Sequence, residues 1–148
     1  NLPAAKACFF GMDSENTRSE NLLRSGVEGV TFGLRYGLDR LAARGVEAEK
    51  IILSGGGANS PAWRQLVADV CNLPVLMFRQ EEGAAFGAAM QALGMLNNSE
   101  LVSLVAEHLV EDVERSCNAD PINSKVYNEL FQQYQRAVSY VAEYYDGI

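Results

Sequence analysis

A run of apolar residues at helical spacing occupies the first third of the chain. These residues recur every three or four positions between residues 23 and 41, which is the spacing of one face of an α-helix. Thr17 and Glu20 stand at the two ends of a capping-box pattern, and Gly45 follows the last apolar position. The pattern predicts one long helix, whose apolar face is made of Leu23, Val27, Val30, Leu34, Leu38 and Leu41.

The next part of the chain alternates short apolar runs with a helical pattern. Residues 50–54 are a β-branched run that stops at three glycines, and residues 73–78 are a second apolar run. Between them, Ser60 and Pro61 supply an N-cap and a first-turn proline for a helix that reaches about Cys71. We therefore predict two parallel strands joined by a right-handed helical crossover. Two strands alone make a poor sheet.

The region after the second strand is dominated by helical patterns. Small residues at 83–93 predict a helix that Gly94 closes, and residues 99–107 predict another helix. Residues 109–114 are ambiguous between an edge strand and a loop.

A final helical pattern begins at Asp120 and Pro121 and continues to Tyr145. Nearly all of the 13 glycines precede residue 95. The chain therefore divides into an α/β core over residues 1–96 and a helix-rich tail over residues 97–148.

The composition is that of an ordinary globular domain, with 148 residues, 48% of them hydrophobic, and a net charge of −7. The acidic balance argues against a nucleic-acid-binding protein, which would carry a basic patch. No apolar run approaches the roughly 20 residues that cross a bilayer, and no secretion leader is visible at the start. Three cysteines without a C-x-x-C motif and a single histidine, His108, give no sign of a zinc site. We therefore predict a cytoplasmic protein that binds neither nucleic acid nor membrane.

The sharpest chemical signal is the triple glycine Gly55, Gly56 and Gly57, which leaves a strand and enters a capped helix. Glycine permits a positive φ and lets a ligand approach the main chain without a Cβ in the way. The N-terminus of the following helix offers unpaired N–H groups that favour phosphate or another anion. The spacing fits neither the dinucleotide nor the P-loop fingerprint. Two interpretations stay open: a nucleotide- or phosphate-binding loop, and a tight structural turn.

A second glycine pattern runs along the first predicted helix, where Gly26, Gly29, Gly33 and Gly37 are three or four residues apart. Each glycine inside a helix costs about 1 kcal/mol relative to alanine, so this face is expected to lie very close to another group. That group is either another element of the protein or a planar ligand such as adenine.

No catalytic constellation is visible in the sequence. No serine or cysteine has a histidine nearby, and no two carboxylates form a compelling pair. Arg24 and Arg64 are either surface cations or partners of a phosphate, and Trp63 is expected to be a packing anchor of its helix. The sequence thus predicts a binding loop without a catalytic residue or a metal ligand.

Three segments of the chain together fit one known family. They are residues 9–29, with F-F-G-M-x5-R-x5-R-x3-E-G; residues 53–75, with L-S-G-G-G-A-N-S-P-A-W-R-Q and A-D-V-C-N-L-P-V; and residues 82–89, with E-G-A-A-F-G-A-A. This combination closely resembles the C-terminal domain of the FGGY carbohydrate kinases, and it is most similar to the xylulose kinases among them. Ser25 and Gly26 depart from the pattern, since relatives more often carry Arg-Ala there.

The resemblance implies an α/β fold, namely the second domain of an actin-like, ribonuclease H-like ATPase, in a partial copy with a helical tail. It implies that ATP, with Mg²⁺, binds in a cleft between two domains of the full-length enzyme. The γ-phosphate would pass to D-xylulose, giving D-xylulose 5-phosphate, or to another sugar or polyol. The catalytic aspartate and most sugar contacts belong to the N-terminal domain of the family. This chain is therefore expected to be an inactive fragment that contacts ATP or ADP.

The resemblance also assigns roles to single residues of this chain. In the family, the triple-glycine region lies against the nucleotide, the next polar pair contacts its adenosine portion, and a small residue of the preceding helix lies beside adenine. The residues that match these positions are Gly55, Gly56, Gly57, Asn59, Ser60 and Gly33.

A second hypothesis is a non-catalytic module that pairs with another copy of itself. A sheet that lacks strands leaves an open edge and apolar surface, both of which favour self-association into a homo-oligomer.

Overall fold

The structure is a computed structural model that describes residues 5–79, 83–97 and 100–146. In chain order, the helices and strands are α1 (Ser19–Ala42), β1 (Ile51–Ile52), a 3₁₀ turn (Gly56–Asn59), α2 (Pro61–Cys71), β2 (Val75–Leu76), α3 (Gly83–Asn97), α4 (Leu101–His108) and α5 (Pro121–Tyr145). The chain forms two compact units, which we call the outer-segment unit and the central unit. The outer-segment unit combines the residues up to Ala48 with those from Asp120 onward, and the central unit runs from Glu49 to Ala119.

The central unit contains the predicted parallel pair of strands. Ile51 of β1 is aligned with Val75 of β2, and α2 connects the two strands along the chain. The segment before α5 forms two isolated antiparallel bridges, one between Cys117 and Val75 of β2 and one between Glu111 and Phe78, which follows β2. The ambiguous stretch at residues 109–114 therefore contributes a bridge to the sheet without becoming a regular strand.

The core of the central unit lies between α2 and the sheet. Val67, Ala68 and Val75 are buried together, and half-buried side chains such as Trp63 pack around them. Helix α2 ends at Cys71, and its C-cap residue Asn72 adopts the left-handed conformation with φ of 52°. This short cluster holds the strand ends, and with them the triple glycine, in place.

Helices α3 and α4 pack against each other, with Met90 and Leu104 buried. Helix α3 continues through Gly94 to Asn97, so the predicted closure at Gly94 is wrong. A glycine inside a helix lowers its stability without ending it when the turn around it is supported. Helix α4 begins at Leu101, and the predicted start at Ser99 lies outside the described residues.

The core of the outer-segment unit is an aromatic cluster between α1 and α5. Phe32 is buried, and its ring centroid lies 6.1 Å from that of Tyr127, 5.8 Å from Phe131 and 5.4 Å from Tyr134. Asp120 caps α5, because its Oδ1 accepts hydrogen bonds from the N–H groups of the first turn. The predicted helical tail is therefore confirmed, and it packs on α1.

The start of α1 differs from the prediction. The N-cap residue is Arg18, and no side chain caps the helix. The Thr17 hydroxyl instead donates a hydrogen bond to the carbonyl of Asp13, in the turn that precedes the helix. The predicted capping box is therefore wrong, because a local turn takes the hydroxyl that would have capped α1.

The predicted apolar face of α1 is largely exposed in the described structure. Leu23 is 75% exposed and Val30 is 64% exposed, whereas the buried residues of the helix are Thr31 and Phe32. Helix α1 therefore packs on α5 with a different face from the one that periodicity indicates. We call the exposed set the α1 stripe: Leu23, Val27, Val30, Leu34 and Leu41.

The outer-segment unit also contains an open apolar cavity of about 770 Å³. Its walls are the segment around Phe9 and Phe10, the N-terminal half of α1 and the C-terminal half of α5. Among the described residues, no helix has the length and apolar character needed to cross a membrane.

Candidate functional site

The triple glycine forms a sharp turn directly after β1. Gly55 has φ of 84° and ψ of 179°, a conformation that is essentially restricted to glycine. The N–H of Ala58 donates to the Gly55 carbonyl at 3.0 Å, which closes the turn. A Cβ built on Gly55 or on Gly56 would meet no described atom within 4 Å. One side of this turn is therefore open to an incoming group.

Gly57 has a different reason to be a glycine. A Cβ built on it would lie 2.8 Å from Cζ3 of Trp63, which is too close for any real contact. Trp63 is thus the packing anchor that the sequence predicts, and it packs on the turn itself. The two interpretations of the triple glycine therefore apply to different residues: Gly57 is required by packing, and Gly55 and Gly56 leave space.

A buried arginine fixes the main chain of the turn. Arg64 of α2 is 7% exposed, and its Nη1 donates a hydrogen bond to the carbonyl of Ala58 at 2.7 Å. The predicted role as a surface cation or phosphate partner is therefore wrong, because the guanidinium is turned inward. The helical period contained this information, since Arg64 lies three and four residues before the core residues Val67 and Ala68.

The two polar residues after the triple glycine already have partners within the chain. Asn59 Oδ1 accepts a hydrogen bond from Nη2 of Arg115 at 2.6 Å. Ser60 Oγ accepts one from the N–H of Trp63 at 3.3 Å, as the N-cap of α2. The sequence gives no sign that Arg115, 56 residues further along the chain, reaches this turn.

The N-terminus of α2 offers fewer free donors than a helix end usually has. Pro61 has no N–H, the N–H of Trp63 is capped by Ser60, and the N–H of Ser60 donates to the Gly57 carbonyl at 3.1 Å. In the first turn, the N–H of Ala62 has no acceptor among the residues that the structure describes, and it is available to a ligand. Any anion contact here therefore depends more on the open turn and on side chains than on the helix end.

The glycine face of α1 belongs to the outer-segment unit. Gly26 and Gly29 border its apolar cavity, and the positions of their missing Cβ atoms meet no described atom within 4 Å. A Cβ built on Gly33 would lie 3.7 Å from the hydroxyl oxygen of Tyr134, an ordinary contact. Among the described residues, no element makes the very close approach that the glycine face predicts.

Arg24 takes part in a polar network between α1 and α5. Its Nε donates to Glu28 Oε1 at 2.7 Å and its Nη2 donates to the hydroxyl of Tyr127 at 2.6 Å, while that hydroxyl donates to Glu28 at 3.0 Å. The hydrogen bond with Glu28 raises the pKa of the Arg24 guanidinium. Arg24 therefore joins two helices in this structure.

Metal ligands are not grouped in the described part of the chain. No cluster of three or more His, Cys, Asp or Glu side chains there could hold a metal ion. His108 ends α4, and its Nδ1 lies 2.9 Å from the Leu104 carbonyl.

Comparison with known proteins places this geometry in a family. Residues 1–96 match the C-terminal domain of the FGGY family of carbohydrate kinases. The chain is 39% identical to a xylulose kinase of Haemophilus influenzae, over 97% of this chain and 29% of that protein. It is 31% identical to an L-xylulose/3-keto-L-gulonate kinase of Escherichia coli, over 88% of this chain and 26% of that protein.

The fold has counterparts among solved structures. The crystal structure of ligand bound xylulose kinase from Lactobacillus acidophilus matches with a TM-score of 0.79 and 24% identity, over 95% of this chain and 28% of that one. The chain therefore spans less than a third of the length of these relatives. The predicted α/β fold, that of the second domain of an actin-like ATPase, is confirmed. Since the family match covers more than half of its residues, the chain belongs to the FGGY family of carbohydrate kinases.

Proposed function

We propose that this chain supplies nucleotide contacts to an ATP-dependent kinase that phosphorylates D-xylulose. The observation that carries the proposal is the open turn at Gly55 and Gly56, which follows a strand of a parallel pair. Ligands of α/β proteins commonly bind beyond the carboxyl ends of parallel strands. Membership in a family of carbohydrate kinases supports a nucleotide as the ligand of this open turn.

The chain's own part in the reaction is to bind and orient the nucleotide. The turn at Gly55 and Gly56 leaves room for its polar end, and Asn59 and Ser60 offer side-chain hydrogen-bonding groups beside it. Gly33, in the outer-segment unit, is proposed to lie beside the adenine. An aspartate outside this chain would take the proton of the sugar hydroxyl as its oxygen attacks the γ-phosphorus.

Mg²⁺ is expected to accompany the phosphates of ATP, as in other kinases. Cys8, Cys71 and Cys117 form no disulfide bond in the described structure, which is compatible with a reducing compartment, and we propose a cytoplasmic location.

The test of nucleotide binding is a thermal-unfolding series with Mg-ATP, with Mg²⁺ alone as the control. A ligand that binds the folded state alone adds about 2.7 kcal/mol to the free energy of unfolding at a hundredfold excess over Kd, so the unfolding midpoint rises as the ligand concentration increases. We expect the 148-residue chain to show this rise and yet to turn over no D-xylulose. An unchanged midpoint at saturating Mg-ATP would contradict nucleotide binding by this chain, and turnover would contradict its dependence on a second domain.

The choice of sugar is the least constrained part of the proposal. The relatives include kinases of xylulose and of L-xylulose or 3-keto-L-gulonate, so another sugar or polyol is the alternative substrate. A comparison of kcat/KM over a panel of ketoses and polyols, made with the protein at its natural length, decides between them. If another member of the panel has a higher kcat/KM, that compound would replace D-xylulose as the proposed substrate.

Self-association through the sheet is the second candidate. Ile52 on β1 is 54% exposed, and β1 has β2 as its one neighbour among the described strands. However, β1 is two residues long and offers few main-chain groups for pairing. A mass measurement in solution by light scattering distinguishes a homo-oligomer from a monomer.

A further inference from the structure

The hydrogen bond between Arg115 and Asn59 determines which end of the Asn59 amide is available to a ligand. Nη2 of Arg115 lies 2.6 Å from Oδ1 of Asn59. A guanidinium group has donors and no acceptor, so the amide atom that faces it must be the oxygen. The amide nitrogen, which has no other hydrogen-bond partner among the described residues, is therefore the end presented to the surroundings.

We infer that Arg115 is a positioning residue, which fixes Asn59 as a hydrogen-bond donor toward the nucleotide. This inference rests on the proposed nucleotide site and adds a chemical requirement to it. The nucleotide atom opposite Asn59 must be an acceptor, such as a phosphate oxygen, a ribose oxygen or a ring nitrogen. Without Arg115 the amide is free to rotate and to present either end.

Arg115 is well placed for this role because its segment is tied to β2. The N–H groups of Val75 and Cys117 each donate to the other residue's carbonyl at 2.9 Å. The N–H of Asp112 donates to the Met77 carbonyl at 2.8 Å, and the N–H of Met77 donates to the Ser116 hydroxyl at 3.0 Å. These bonds lie on both sides of Arg115 along the chain, so they hold the main chain from which its guanidinium extends.

The turn is thus held by two arginines that act on different groups. Arg64 binds the main chain through the Ala58 carbonyl, and Arg115 binds the Asn59 side chain. Arg115 lies beyond residues 1–96, the part that matches the family's domain. The helix-rich tail therefore contributes to the candidate site, which gives residues beyond 96 a role besides packing.

A double-mutant cycle on the protein at its natural length tests the inference. The variants are Arg115→Ala, Asn59→Ala and the pair, with Kd for Mg-ATP from calorimetry and KM and kcat from a kinase assay. Loss of a hydrogen bond to a charged group predicts about a tenfold rise in Kd and in KM for ATP in each single variant, with kcat nearly unchanged. The double variant should bind no more weakly than Asn59→Ala, because Arg115 acts through Asn59.

Matched variants separate positioning from charge and from folding. Arg136→Ala removes an equal charge from an exposed site on α5 and should leave Kd unchanged. Arg115→Gln keeps a donor without the charge and should recover part of the affinity. Asn59→Asp keeps the contact with Arg115 but has no donor, so it should fold and still bind weakly, which provides a test even if Arg115→Ala unfolds.

The outcomes also distinguish this inference from the proposed function. A wild-type protein without affinity for Mg-ATP would overturn both. Wild-type binding with additive effects of Arg115→Ala and Asn59→Ala, or with an Asn59→Asp variant that binds normally, would overturn the inference alone.

Discussion

Gly57 and Trp63 are in contact across the first turn of α2, so closely that the indole occupies the space of a Cβ on Gly57. The distance from such a Cβ to Cζ3 of Trp63 is 2.8 Å, and to Cε3 it is 3.2 Å. The indole ring also packs on the core cluster of the central unit, where its movement would open a gap. The contact between Gly57 and Trp63 therefore couples the conformation of the candidate binding turn to the packing of the central unit's core.

Gly57→Ala is therefore expected to destabilise the protein by about 1–3 kcal/mol, which is the usual effect of overpacking. The measurement is the free energy of unfolding in urea. Gly56→Ala is the matched control, since its Cβ meets no described atom within 4 Å, and it should change stability by less than about 0.5 kcal/mol. Equal effects of the two substitutions would show that the Trp63 indole moves away from the new Cβ without a loss of stability.

Gly55→Ala is expected to cost about 1–3 kcal/mol for a different reason. A Cβ has space at this position, but φ of 84° with ψ of 179° is strained for any L-residue with a side chain. The same urea experiment measures the loss, and Gly56→Ala again serves as control. Wild-type stability in Gly55→Ala would mean that the turn relaxes to another conformation, and a crystal structure of the variant would show it.

Asp120→Ala is expected to lower stability by about 0.5–2 kcal/mol, because it removes the N-cap of α5. Oδ1 of Asp120 accepts hydrogen bonds from the N–H of Ile122 at 2.7 Å and from that of Asn123 at 3.2 Å. Asp120→Asn retains a capping oxygen and should keep most of the stability. A loss as large in the asparagine variant as in the alanine variant would argue that the cap is not responsible.

Stability is expected to fall at alkaline pH as tyrosines ionise. Burial raises the pKa of Tyr127 above its usual 10.0, with a further rise from Glu28 and an opposing effect of Arg24. Below pH 10.0 the hydroxyl is protonated in both states, so its contribution is complete. Above that pH the unfolded chain loses the proton first, and stability falls until the folded state ionises too.

Urea unfolding between pH 8 and 11 measures this dependence. Tyr127→Phe should flatten the alkaline decrease, and Tyr134→Phe should flatten it further, because burial raises the pKa of Tyr134 as well. An unchanged slope in the double variant would assign the alkaline loss to other groups.

Helix α2 was predictable because its signals act over a few residues. Ser60 and Pro61 determine where it starts through local hydrogen bonding and a fixed φ, and the structure confirms both. The final helix is predictable for the same reason, since Asp120 and Pro121 repeat the arrangement. The open side of the triple glycine also follows from residue type, because glycine has no Cβ.

The remaining differences concern groups whose partners lie far along the chain or in a competing turn. The Thr17 hydroxyl binds Asp13 instead of capping α1, and a four-residue pattern does not include that competitor. The α1 stripe has helical periodicity, but periodicity does not say which surface covers it. The β-bridges hold the segment of Arg115 in place, and its side chain then contacts Asn59, which is 56 residues away along the chain. No local sequence pattern predicts that contact.

The α1 stripe has a consequence for the chain when it exists by itself. An exposed apolar surface of this extent associates with other apolar surfaces in water. Chaperones bind the same kind of surface on incompletely folded proteins. The 148-residue chain by itself is therefore expected to aggregate or to bind chaperones, and mild detergent should keep it dispersed.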